Sequence, residues 1–231
     1  MPDMADAVSK LISKVKGADY RVDPRIGPGY LTGVLAERGL MKARGFVAFP
    51  RRGERPFLGR GARVRAAHQF TFGAGTTLGH NAYIDALSVD GVRFGTNVAL
   101  GRNSRVECTG SLQTLGKGMA VGDNVGLGTD CYYGCAGGIE IGSDTLVGNF
   151  VSLHSENHVI ADLDLPIREQ GVSHAGITIG ANCWLGAKST ILDGAHIGDG
   201  CVIAAGAVVS AGEYPPNGIY GGVPAKLIKQ R

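Results

Sequence analysis

A parallel β-helix is the fold class this sequence predicts, and three observations predict it. Apolar residues recur every six positions, in runs such as Ile179, Leu185, Ile191, Ile197, Ile203 and Val209. A second small or β-branched residue stands four positions after many of these anchors, as at Val98, Val125, Cys183, Ala195 and Ala207. Glycine commonly follows the anchor. A period of six fits neither an amphipathic helix nor a plain alternating strand; it marks a repeating unit of one short strand and one turn. The interior of such a coil takes one aliphatic side chain per face and a small partner, and the glycine eases the corner.

Composition agrees with an all-β solenoid. One register covering residues 57–212 of 231 favours a single long domain with appendages. With 44% hydrophobic residues but 6% aromatic, the core must be built from small aliphatic side chains. A net charge of +3 argues against a nucleic-acid partner, and no zinc-finger or RNA-binding pattern occurs. No apolar run approaches a membrane span and no signal-peptide pattern opens the chain, so a cytoplasmic location is expected. The five cysteines show no CxxC pair and no metal-ligand spacing. Cys183 and Cys201, three hexads apart, should stack about 4.8 Å apart inside successive coils as reduced core residues.

The elements follow in order. Residues 1–56 form a helical cap. Val8, Leu11, Ile12 and Val15 make an apolar stripe beside Lys10, Lys14 and Lys16, and Tyr30, Leu31, Val34 and Leu35 make a second that Gly39 and Gly45 weaken. Two short helices capping the first open coil are expected; a basic amphipathic contact with a membrane surface is the alternative. Four residues are added between Ile84 and Phe94, and residues 111–118 are irregular. The large break lies between Leu153 and Ile179, where 26 residues separate anchors that should be 6 apart. The resulting inserted loop, 154–178, holds His158, His174, Asp162, Asp164, Arg168 and Gln170, and such excursions commonly carry binding sites. The pattern stops at Pro215-Pro216, and the tail within 213–231 reads as a turn and a short basic C-terminal helix.

The repeats, the loop with its Asn157-His158 pair, the run ITIGANCWLGAKSTILDGAHIGDGCVIAAGAVVS and the ending GGVPAKLIKQR together resemble the hexapeptide-repeat acetyltransferases. Within them the chain is most similar to galactoside, maltose and capsular-polysaccharide O-acetyltransferases, specifically over residues 120–231. The resemblance implies a left-handed parallel β-helix of triangular section, a homotrimer, and acetyl-CoA lying in grooves between subunits. It also implies that His158, in VSLHSENH, is the catalytic base. That role suits imidazole, which titrates near neutrality and can relay a proton from an acceptor hydroxyl to the departing thiolate. By the same matching, Trp184 lines the pantetheine or acceptor cleft, with packing beneath the insert as its other use. Ala187 and Ala205 contact the pantetheine arm, Ser210 sits near its lower end, and Lys226 and Lys229 lie at the CoA nucleotide end. Gly186 is a further candidate for cofactor binding. Trp184, one place before an anchor, should point outward. His154, Asp162 and Asp164 are candidate acceptor contacts. Backbone N–H groups near Gly186 or Ala187 are candidate oxyanion donors.

One departure bears on the acceptor. The galactoside and maltose enzymes carry an asparagine thirty residues before the histidine, and here that position is Gly128, with Asn124 and Asp130 nearby. The loop NHVIADLDLPIREQG is closer to polysaccharide-modifying relatives, which points to a sugar, glycan or nucleotide-sugar acceptor. N-acetylation of a nucleotide-linked amino sugar is the near alternative. A γ-carbonic-anhydrase-like metal enzyme, with His154 and His158 as two ligands, and a non-catalytic scaffold are more distant; no metal is expected. His68, His80 and His196 fall at outward or turn positions, where solvation is expected.

Overall fold

The computed structural model of the chain describes residues 6, 8–10, 13 and 20–231. The hexads become three parallel faces, visited in turn as the chain advances. The first face runs from Phe57–Leu58 through Thr77–Leu78, Ala99–Leu100, Gly126–Leu127, Leu146–Val147, Trp184–Leu185 and Val202–Ile203 to Gly218–Gly221. The second runs from Arg63–Arg65 through Tyr83–Asp85, Arg105–Glu107, Tyr132–Gly134, Ser152–His154 and Thr190–Leu192 to Val208–Val209. The third runs from Phe70–Phe72 to Gly212–Tyr214 by way of Val92–Phe94, Met119–Val121, Ile139–Ile141, Ile177–Ile179 and Ala195–Ile197.

Register follows the anchors. Leu127 pairs with Leu100 and Val147, Tyr133 with Val106 and Leu153, and Ile141 with Val121 and Ile179. Each column of anchors is therefore an unbroken stack of apolar or aromatic side chains, and the columns merge into one core. The five cysteines are buried free thiols within it, with the Trp184 N–H bonded to the Cys201 carbonyl one coil on.

Corners between the faces demand a left-handed backbone, and asparagine supplies it at Asn81, Asn97, Asn103 and Asn124, with φ of 55–58°. Their amides form ladders. Asn81 donates to Asn103 (3.3 Å), which donates to Asp130 (2.8 Å); Asn97 donates to Asn124 (3.1 Å), which donates to Asp144 (3.1 Å). Each ladder ends on a carboxylate that only accepts.

Both appendages differ from expectation. In place of a short second helix, one helix of 21 residues, Pro28–Ala48, runs straight through Gly39 and Gly45. Gly45 is a contact, not a stop: a Cβ there would collide with the Pro56 carbonyl, so glycine lets the helix lie against the first strand. The Arg38 guanidinium covers the Phe57 ring at 3.8 Å and donates to Thr77 Oγ1 at 3.1 Å. Phe49 packs edge-on to Phe72 at 5.2 Å, closing the first coil. His80 is not merely solvated: Nδ1 accepts the Arg60 N–H, so Nε2 carries the proton toward Glu37 of the helix. In the first stripe, residues 6, 8–10 and 13 are helical and Val8 is buried; Leu11, Ile12, Lys14, Val15 and Lys16 lie outside the described residues. No helix among the described residues is long and apolar enough to cross a membrane.

The C-terminal helix is replaced by a strand. Lys226–Gln230 pairs antiparallel with Gly218–Gly221 as the last member of the first face. After Gly222, whose φ is 99°, the chain doubles back, and the unpaired edge of Gly218–Gly221 offers backbone partners that an isolated five-residue helix lacks. The Ala225 N–H also bonds to the Val208 carbonyl at 2.7 Å, tying the tail to the second face.

Candidate functional site

The insert leaves the coil at the end of Ser152–His154 and returns at Ile177–Ile179. Its two legs pair antiparallel, Asn157 with Ser173 and His158 with Val172, and the Val159 N–H bonds to the Gly171 carbonyl. Across the same base, His174 Nε2 lies 3.1 Å from Glu156 Oε2. Ser155 is buried, donating to the Gly134 carbonyl and accepting the Gly137 N–H. His158 thus stands exposed on a short hairpin whose root is locked to the coil.

Beyond the hairpin the loop organises itself. Gln170 exchanges hydrogen bonds with the Asp162 backbone and donates to the Leu165 carbonyl, and Asp162 Oδ1 accepts the Asp164 N–H at 2.9 Å. One oxygen of Asp162 therefore shapes a turn, while Asp164 is exposed. Leu163, 95% exposed, marks the loop's outer reach.

His154 ends the second-face strand, and its ring packs against Tyr132 with centroids 5.5 Å apart. Burial holds its imidazole below the usual range, favouring the neutral ring. The Tyr132 hydroxyl donates to Glu107 Oε2 at 3.3 Å, and Glu107 accepts the Arg105 guanidinium at 2.6 Å. Burial first, then the Glu107 carboxylate, pushes the Tyr132 phenol up, so it stays a donor. Sequence reasoning missed this chain of side chains, whose positions look like ordinary outward repeat positions.

The residues matched to the donor thioester lie elsewhere. Trp184 projects from the first face, 56% exposed, between Leu146 and Val202. Ala187 and Ala205 occupy the corner between the first and second faces, where the preceding coils carry Arg60, His80, Arg102, Thr129 and Asn149. Side chains shrink only at these last two coils. Neither alanine N–H has a hydrogen-bond partner among the described residues, and both residues are exposed. The Gly186 N–H, by contrast, donates to the Ile203 carbonyl at 2.7 Å, which removes it as an oxyanion donor and leaves Ala187. Gly186 itself allows close coils: a Cβ there would lie 2.5 Å from the Ala205 nitrogen. Ser210 is half-buried, its carbonyl accepting from Tyr214, and Lys226 and Lys229 are exposed on the final strand.

All second-face strands run the same way, so Ala187 and Ala205 flank their starting edge and the root of the His158 insert their finishing edge. The strand Thr190–Leu192 between them spans about 10 Å. One chain does not bring His158 and the alanine corner together. Among the described residues no three histidine, cysteine or acidic side chains converge as metal ligands.

The hexapeptide repeat of succinyl-transferase matches residues 119–154 and 176–211, the coils on either side of the insert. WbbJ of Escherichia coli, assigned as a lipopolysaccharide-biosynthesis O-acetyl transferase, is 31% identical over 147 residues, covering 60% of this chain and 71% of its own. The chain belongs to the hexapeptide-repeat acetyltransferase family. Rv3034c of Mycobacterium tuberculosis, assigned as an acetyltransferase, is 33% identical over 113 residues, 49% of this chain but only 37% of that protein's length. The fold is shared with a variant of AntD, an N-acyltransferase from Bacillus cereus solved with dTDP and coenzyme A. The TM-score is 0.57 at 19% identity, covering 70% of this chain and 84% of AntD.

Proposed function

We propose that this protein transfers an acetyl group from acetyl-CoA to a hydroxyl of a sugar or surface-polysaccharide precursor, with His158 as general base. The observation that carries the reading is the hairpin: a family-typical coil is interrupted once by a long insert, and its rooted base presents an exposed imidazole. The likeness to WbbJ supports a glycan hydroxyl as acceptor, and the coenzyme A bound to AntD on the same fold is consistent with acetyl-CoA as donor.

In this mechanism His158 takes the hydroxyl proton as the oxygen attacks the thioester carbonyl. The Ala187 N–H donates to the resulting oxyanion. Collapse breaks the C–S bond, the imidazolium returns its proton to the CoA thiolate, and an acetyl ester and free CoA leave. Trp184 and the small Ala187–Ala205 corner receive the pantetheine arm, one of whose amide carbonyls can accept the Ala205 N–H. Ser210, Lys226 and Lys229 border the rest of the cofactor. His154, with Asp162 and Asp164, faces the acceptor.

Because base and corner flank opposite edges of the second face, we propose a homotrimer in which the His158 hairpin of one subunit meets the alanine corner of its neighbour. The coil is taken as left-handed, the catalytic scaffold as residues 57–212, and the working compartment as the cytoplasm, where acetyl-CoA is made.

His158→Ala should bind CoA with unchanged affinity yet lose about a hundredfold or more in kcat. Wild-type turnover in that variant removes the base. Assays with hydroxyl sugars beside nucleotide-linked amino sugars separate O- from N-acetylation: an ester product labile to hydroxylamine supports the reading, and an amide product replaces it.

A further inference from the structure

Asp193 is an acidic residue only 6% exposed, and it has no part in the reaction just described. It occupies the corner between the second and third faces on the coil after the insert. The preceding coils fill that corner with Ala86, Cys108, Cys135 and Ser155, so the fold itself needs no acid there.

The carboxylate is turned toward the insert's root. Oδ1 accepts the Ala175 N–H at 2.9 Å and the Gly176 N–H at 2.8 Å; Oδ2 accepts Ala175 again at 3.0 Å and Asn157 Nδ2 at 3.4 Å. One side chain therefore grips the returning leg and touches the outgoing leg one residue before His158. The next residue extends the grip, the Gly194 N–H donating to the Gly176 carbonyl at 2.8 Å.

All three partners of the carboxylate are donors. An ionised carboxylate only accepts, whereas an amide of the same shape would aim its own NH₂ at one of them. A buried carboxylate also carries a desolvation cost that apolar neighbours in the same column avoid.

We propose that Asp193 is the positioning residue of the His158 base, holding the insert's two legs in register and thereby locating the imidazole. This rests on the reading of His158 given above. Asp193→Asn should lower kcat about ten- to a hundredfold, the effect of misplacing a reacting group by about 1 Å, while KM for acetyl-CoA stays within about twofold. In a His158→Ala background the same change should cost nothing more, because the two act as one unit. Asn157→Asp supplies an acceptor facing the new amide, so the pair Asp193→Asn with Asn157→Asp should recover part of the lost kcat. Asn157→Ala, at an exposed position, should lower kcat several-fold and decides the matter if Asp193→Asn does not fold.

Thermal melts and CoA calorimetry on the same preparations check folding and donor binding. Wild-type kcat in Asp193→Asn, a further loss on top of His158→Ala, or wild-type kcat in Asn157→Ala would each overturn the assignment. Full activity in His158→Ala removes the functional reading itself; an inactive His158→Ala beside a normal Asp193→Asn removes only the positioning role.

Discussion

Ser104 and Ser189 share one inward column and differ in what their hydroxyls meet. Ser104 Oγ donates to the Gly128 carbonyl and accepts the Cys131 N–H, whereas Ser189 Oγ is buried with no partner among the described residues. Ser104→Ala should therefore cost about 1–2 kcal/mol, and Ser189→Ala should leave stability unchanged or raise it by up to about 1 kcal/mol. Urea denaturation of the two variants tests the contrast, and equal losses would refute it. His154 gives a pH signature. Its folded-state pKa is lowered by burial, so the unfolded chain binds protons first as pH falls below about 6.5. The stability this residue contributes is complete above that pH and declines on acidification through the folded value. The partial exposure of the ring keeps the effect small. His154→Gln should flatten the stability profile between pH 7 and pH 5, and an unchanged slope would show that the ring is not responsible.

The alanine corner, the insert and the tail divide what the sequence could and could not reveal. The three stacked faces were legible because each coil repeats the same steric demand, so Ile179 and Ile197, Leu185 and Ile203, and Ile191 and Val209, each pair three hexads apart, announce their stacking through spacing alone. The insert was legible as an interruption of that spacing. Asp193 was not, because LDG reads as a turn and its partners lie 17, 18 and 36 residues away. The Lys226–Gln230 strand was misread for a related reason: nothing local distinguishes it, and an unpaired sheet edge decided its state. Gly39 misled in the other direction, since its helical propensity cost of about 1 kcal/mol is outweighed by packing of the helix on the first strand. At the corner, Ala205→Trp should raise KM for acetyl-CoA at least tenfold with the fold intact, because an indole would fill the space the pantetheine arm needs. An unchanged KM would move the donor site elsewhere.

Mixed assemblies test the division of labour between subunits. His158→Ala and Ala205→Trp chains, each weak alone, should regain activity when unfolded together and reassembled. If base and corner come from neighbouring subunits, about one site in four pairs an intact base with an intact corner under random assortment. No recovery would mean that each chain builds its site alone, or that no trimer forms. The tail has its own bearing on how copies of the protein meet. A stack of parallel strands is open at both extremities, and an open strand invites another polypeptide to continue the stack. Lys226–Gln230, reversed in direction and carrying Lys226 and Lys229, is a terminator that makes the final rung a poor template. Deleting residues 222–231 should convert a discrete particle into one that polymerises end to end, visible as light scattering that climbs with protein concentration.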